Sequence, residues 1–163
     1  MKELKVELLT QACFAPFGDV IEIEGRDLFY INQGQTERFH ALAHVDIEDQ
    51  SPPIISFFRA QPSNFPIKID MLERHPLGSQ AMFPIAEKPF LIVVAKPGDV
   101  IDPSSIRAFL TNGKQGINYH KGTWHFPTLA LHCVTKILVV DRGGKDNCDE
   151  QPLESPLIIN GVE

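Results

Sequence analysis

The sequence predicts an all-β protein, a barrel or sandwich carrying one or two short helices. Three observations carry that expectation. Thirteen prolines and eleven glycines cut the 163 residues into short runs. Most of those runs are rich in Val, Ile, Phe and Leu, which suit a pleated, half-buried surface. Helical periodicity is scarce along the chain.

Taken in order, Thr10 caps a short helical turn that runs to Ala15 and is stopped by Pro16. Strands are expected at 19–23, 39–47, 54–60, 65–75, 80–85, 90–95 and 131–141. Within 39–47, Phe39, Ala41, Ala43, Val45 and Ile47 alternate with His40, Leu42, His44 and Asp46, giving a small apolar face and a wetter one. His40 and His44 are therefore expected toward solvent. In 65–75, Phe65, Ile67, Ile69 and Met71 share parity with Glu73 and His75, so a core face is expected to end in an acid and an imidazole. Such a continuation is unfavourable unless the charges are paired or used.

The run Phe90-Leu-Ile-Val-Val-Ala95 has no alternation and reads as a strand covered on both faces, by a second sheet or by a partner subunit. Asp102-Pro103 opens a second helix that Asn112-Gly113 would close in the left-handed conformation. No linker divides the chain, so one domain over 1–163 is expected. Its last part, 143–163, loses periodicity and reads as a less regular tail whose Leu157-Ile-Ile159 patch docks on the same domain or on a neighbour.

Acidic residues number 21 against 15 basic ones, and the formal charge of −6 opposes binding to nucleic acid or to an anionic membrane. A small anionic substrate stays open, because a few local cations outweigh distant surface charge. No apolar run approaches the roughly 20 residues that span a bilayer. The opening Met1-Lys-Glu-Leu-Lys-Val-Glu mixes charges, so a cytoplasmic protein is expected. Cys13, Cys133 and Cys148 are odd in number and lack Cys-x-x-Cys spacing, which reads as reduced thiols.

Two segments offer chemistry. Glu73 and His75 project from one side of a strand, close enough to share a proton or a ligand, and Gln80 returns an amide toward them through the 76–79 turn. The segment Gly116-Ile-Asn-Tyr-His-Lys-Gly-Thr-Trp-His125 supplies His120, Lys121 and His125 with an aromatic wall at Trp124. Imidazoles from two places could also hold a divalent metal through neutral nitrogens. Asn32 and Arg38 are weaker candidates for gripping a carboxylate. The structural alternatives are a salt-linked pair at a sheet edge, a turn with Trp124 in the core and surface imidazoles, and a solvated Arg38. Nucleotide loops, the Gly-x-Ser-x-Gly elbow and His-Glu-x-x-His are absent, which removes support for those classes.

Five blocks together resemble the bacterial ureidoglycolate lyase family, called ureidoglycolate hydrolase in older usage. They are Phe14-Ala-Pro-Phe-Gly18, Ile31-Asn-Gln-Gly34 with Arg38, Glu73-Arg-His-Pro-Leu-Gly-Ser-Gln80, the 116–125 segment and Val139-Val-Asp-Arg142. The resemblance implies a cupin-like double-stranded β-helix barrel, usually a homodimer. It implies a carbon–nitrogen lyase that splits ureidoglycolate into glyoxylate and urea in allantoin breakdown, a branch of purine catabolism. Gly122-x-x-His125 matches the second cupin motif, whereas Leu77 stands where the first would place a second His after His75.

For that reaction the expected proton-transfer set is Glu73, His75, His120, Lys121 and His125, with another imidazole or Lys121 returning the proton to nitrogen. Either His75 or His120 is the base, with Glu73 orienting it. Ser79, Gln80, Tyr119, Trp124, Asn32 and Arg38 make up the substrate-binding set, and a divalent metal, nickel by association, would sit on His75, His120 and His125. Two other readings compete. One is a metal-dependent cupin oxygenase or isomerase acting on another small acid, against which the missing His of the first motif counts. The other is a glyoxylate-sensing module that binds without turnover.

Overall fold

A computed structural model describes residues 1–162; Glu163, the last residue of the expected tail, lies outside them. The chain forms β1 (Lys2–Glu3), β2 (Val6–Leu8), α1 (Gln11–Phe14), β3 (Gly18–Ile21), β4 (Phe29–Ile31), β5 (Thr36–Arg38), β6 (Pro53–Ala60), β7 (Pro62–Ser63) and β8 (Ile67–Arg74). There follow β9 (Gln80–Pro84), β10 (Phe90–Ala95), β11 (Arg107–Leu110), β12 (Gly116–Tyr119), β13 (Trp124–His125), β14 (Leu129–Leu131), β15 (Thr135–Arg142) and β16 (Asp149–Ile159). One sheet runs β1-β16-β8-β13-β10-β11-β2, with β14 and β7 alongside, and faces a second of order β3-β12-β9-β15-β6. From β8 onward the chain crosses repeatedly between the two sheets, as in a double-stranded β-helix, so the all-β, cupin-like barrel is what forms. The β4–β5 hairpin belongs to neither sheet.

Phe90, Ile92 and Val94 of β10 pack between the sheets with Met82, Ile117, Ile137 and Val139. Each such side chain contributes roughly 1.5–3 kcal/mol on burial. Leu91, Val93 and Ala95 face the other way, into a second cluster with Ile67, Ile69, Ile106, Trp124 and Ile159. Both faces are therefore covered, the outer one by the chain's own terminal strands and the 96–106 loop. Thr10 caps α1 by accepting a hydrogen bond from the Cys13 N–H, and Phe14 and Phe17 plug one end of the barrel against Phe109.

Five expectations change. The strand expected at 131–141 divides at His132, which takes a left-handed φ of 63°, into β14 and β15, and these lie in different sheets. Residues 39–47 form no strand: Ala41 takes a left-handed φ of 52°, and the segment is a strap across the second sheet. The Ser79 N–H donates to Asp46 O at 2.8 Å, the Asp46 N–H to Ser79 Oγ at 2.8 Å, and Asn118 Nδ2 to His44 O at 3.1 Å. Alternation describes faces only where a neighbouring strand pairs along the whole segment, and here backbone pairing is confined to the end at 46–48 while the Ser79 and Asn118 side chains take up other backbone groups.

The second helix shrinks to one 3-10 turn, Pro103–Ser105, whose Ser104 N–H donates to the Asp102 carboxylate. β11 then follows because Ala108 and Phe109 are both fully buried beside β10. Gly113 does take a left-handed φ, 87°, but in a turn where a Cβ would stand 2.6 Å from Glu87 O. The tail is not irregular: β16 is the longest strand and pairs with β8, docking Leu157–Ile159 on its own chain. Finally, the burial phase of β8 slips by one residue, for Ile67 and Ile69 share their buried cluster with Leu72. The irregular β8–β16 register between Pro152 and Leu157 lies at the same place.

Candidate functional site

Glu73 lies directly opposite His125 across the β8–β13 pair, and His75 follows at the end of β8. One ligand atom from each of Glu73, His75 and His125 falls within 4.8 Å of the others. The two imidazole rings are 5.0 Å apart between centroids. His125 Nδ1–H donates to Thr123 O at 3.0 Å and His75 Nδ1–H to Asn147 O at 2.7 Å. With both Nδ1 atoms anchored on carbonyls, each ring presents Nε2 to the cluster. His125 Nε2 is 3.5 Å from Glu73 Oε1, buried, and has no hydrogen-bond partner.

The surroundings set the charges. The His125 imidazole beside Glu73 holds that carboxyl below the usual carboxylate range despite burial. Burial, reinforced by His125, pushes His75 below the ordinary imidazole value, favouring its neutral form. Tyr119 stacks on His125 with centroids 4.3 Å apart and planes 12° apart. Burial drives its phenol up, so it stays a neutral floor beneath the imidazole.

Two adjoining clefts of about 240 and 270 Å³ share His75 and Gln80. One continues past Glu73 and His125 to Phe58, Arg59 and Thr128, the other past Ser79 to Asp141 and Cys148. Gln80 Nε2 donates to Asp141 Oδ2 at 3.0 Å. Arg59 is exposed and has no ion-pair partner among the described residues. The Cys148 thiol lies 3.8 Å from Glu73 Oε2, and burial followed by that carboxylate raises its pKa, so it stays protonated.

The structure brings Glu73, His75, His125, Tyr119, Ser79 and Gln80 together and leaves the remaining candidates apart. His120 lies outside the cluster with half its side chain exposed and Nε2 3.1 Å from Asp19 Oδ2. Lys121 bonds Glu48, just past the strap, and lies 3.3 Å from Asp46 on it. Trp124 points to the opposite side of β13 from His125, as neighbouring strand residues must, and packs in the second core cluster with Nε1 donating to Gly98 O at 3.0 Å. Asn32 and Arg38 sit on the β4–β5 hairpin, where Asn32 bonds Thr36 and Arg38 lies over Phe29. The first two departures share a cause: a neighbouring carboxylate holds each side chain at the surface.

The ureidoglycolate lyase family model matches residues 1–160. The ureidoglycolate lyase of Pseudomonas paraeruginosa is 55% identical over 152 residues, covering 92% of this chain and 90% of that one. Those of Burkholderia mallei and Pseudomonas syringae pv. syringae are both 52% identical, over 159 residues (96% and 93%) and 162 residues (98% and 95%) respectively. This chain belongs to the ureidoglycolate lyase family. Among solved structures, a dTDP sugar isomerase from Desulfovibrio desulfuricans G20 superposes with a TM-score of 0.48 at 12% identity, over 86% of this chain and 88% of that one.

The donor set of this ureidoglycolate lyase family member also fits a divalent cation. Two Nε2 atoms and a carboxylate oxygen converge, both rings are oriented from behind by carbonyls, and the buried His125 Nε2 is otherwise unpartnered. The ligand set differs from the one expected from sequence, with Glu73 in place of His120. Sequence reasoning also missed Arg59 and Asp141. Asp141 was present in the Val-Val-Asp-Arg block, and Arg59 stands out as a charge between Phe58 and Ala60 at the end of an apolar strand.

Proposed function

We propose that the protein is a ureidoglycolate lyase, cleaving the carbinol carbon–nitrogen bond to give glyoxylate and urea. The reaction is an elimination without added water: the hydroxyl proton leaves, its electron pair forms the new carbonyl, the carbon–nitrogen bond breaks, and the departing nitrogen takes a proton. One base and one acid suffice, each worth roughly a hundredfold to ten-thousandfold. His75, biased toward its neutral form, takes the hydroxyl proton at Nε2. His125, whose Nε2 lies 3.5 Å from Glu73 Oε1, returns one to nitrogen. Arg59 lines the same cleft and grips the substrate carboxylate in the two-pronged geometry guanidinium favours, while Gln80 orients the hydroxyl.

The observation that carries this reading is the pair of Nε2 atoms turned toward one acidic cleft in a chain of this family. Incubating the protein with ureidoglycolate and measuring urea, glyoxylate and ammonia tests it. Equimolar urea and glyoxylate are expected; ammonia in place of urea would move the protein to hydrolysis of the ureido group. Bound glyoxylate without turnover would make it a sensor.

The unpartnered His125 nitrogen favours a second reading, in which Glu73, His75 and His125 hold a divalent cation, nickel by family resemblance. When bound, such an ion would supply Lewis acidity that favours loss of the hydroxyl proton. With both imidazoles so engaged, Asp141 is the carboxylate left in the cleft to accept the proton. Metal content of the purified protein distinguishes the two: about one ion per chain, lost in His75→Asn, supports the metal site, and a metal-free active enzyme removes it. The protein is further read as a cytoplasmic homodimer. The outer face of the second sheet supports the dimer, since Ile55, Phe57, Phe83 and Ile85 are exposed there and β6 is an edge strand.

A further inference from the structure

Among the described residues, the β4–β5 hairpin joins neither sheet of its own chain. Its strands pair only with each other, and an isolated two-stranded hairpin is marginal in water. Tyr30 and Glu37 are cross-strand partners, so an aromatic ring and a carboxylate lie side by side on one face of the arm. Tyr30 is 63% exposed, and Glu37 has no ion pair among the described residues.

On the outside of the second sheet lies a cleft of about 370 Å³ lined by Phe57, Phe58, Arg59, Ile85 and Lys136. Its apolar walls match Tyr30. Its two cations, Arg59 and Lys136, have no ion pair among the described residues and match Glu37. Phe58 and Arg59 also line the catalytic cleft, so whatever fills the outer cleft backs the wall of the site.

We propose that the homodimer is an arm exchange: the Tyr30–Glu37 face of each protomer docks in the Phe57–Ile85–Lys136 cleft of the other, completing that subunit's active-site wall behind Arg59. The exchange is isologous, each copy giving and receiving the same contact, which closes the dimer without open ends. The proposal rests on the dimeric part of the reading above. Glu37 acts as a positioning residue for Arg59, not as a group that touches substrate. The Ile-Asn-Gln-Gly block that stood out in sequence then serves to turn the arm, with Asn32 and Gln33 both in the left-handed region.

A cysteine pair tests the docking without any substrate. The double variant Tyr30→Cys/Phe57→Cys, treated with a flexible bis-maleimide, is expected to give a covalent dimer that neither single variant gives. A cross-link confined to one chain, or none with both cysteines modified, would overturn the exchange. Tyr30→Asp supplies the second readout: a folded monomer by circular dichroism and light scattering, with KM raised about tenfold. A dimer with unchanged KM would contradict the proposal. Absence of urea release by the unaltered protein would instead remove the lyase reading and leave the cross-linking result standing.

Discussion

His120 and His125 leave the same turn of the chain and end in opposite circumstances. His120 is half exposed and satisfied by Asp19, and its neighbour Lys121 is held by Glu48 and by Asp46 of the strap. His125 is buried, stacked on Tyr119, anchored at Nδ1 and left with an unpartnered Nε2 facing Glu73 and His75. The same side-chain chemistry therefore serves two ends. Where a surface carboxylate meets the side chain, the result fastens a loop; where a buried nitrogen is left open, it is available for a proton or a ligand. Residue type alone does not separate them. Strand parity does, because His125 and the core residue Trp124 occupy opposite sides of β13 while His120 precedes it.

Substitutions on the two sides should separate by orders of magnitude. Glu73→Gln removes the charge that faces both imidazoles and should lower kcat/KM for urea release about a hundredfold to ten-thousandfold, with the far-ultraviolet circular dichroism unchanged. Arg59→Ala is expected to raise KM about tenfold to a hundredfold with kcat largely kept, because a charged hydrogen bond to substrate is worth roughly 1.5–3 kcal/mol; a fall in kcat alone would assign Arg59 to the chemical step. Lys121→Ala, on the strap side, should leave kcat/KM within about twofold and slightly lower Tm, as exposed pairs contribute little.

The smallest effect concerns pH. The Arg142 guanidinium and the Ser51 N–H hold the Asp49 carboxyl well below the usual carboxylate range. A carboxyl depressed in the folded state stabilises fully above its unfolded value near 3.9 and loses that contribution as pH falls through the folded one. Asp49→Asn should therefore lower Tm slightly at pH 7, and the gap to the unaltered protein should close in strong acid. A gap that persists there would assign the loss to packing.

Much of the barrel was legible because burial imposes its pattern on the sequence. The unbroken Phe90–Ala95 run reads as a strand covered twice, and the apolar runs at β6 and β9 sit where expected, whereas the run at 131–141 is interrupted by the turn at His132. Residues 39–47 misled because alternation mimics a strand even where Ser79 and Asn118 side chains complete the backbone bonding. β16 was missed because Pro152 and Pro156 interrupt its pattern, which the irregular register against β8 tolerates. In the site, the common side of Glu73 and His75 was visible from their own two-residue spacing and Gln80 from the following turn, although the face of Ile67 and Ile69 does not continue into them because the phase slips at Leu72. Arg59 was not, since its role depends on β6 bordering the cleft that β8 and β13 open, and that adjacency is a property of the closed barrel.

The most direct measurement compares His125→Asn with His120→Asn in one urea-release assay, each checked for fold by circular dichroism. A drop of about a hundredfold or more for His125→Asn beside near-normal turnover for His120→Asn is predicted. Equal losses, or a greater loss at His120, would contradict the assignment of catalysis to the buried cluster.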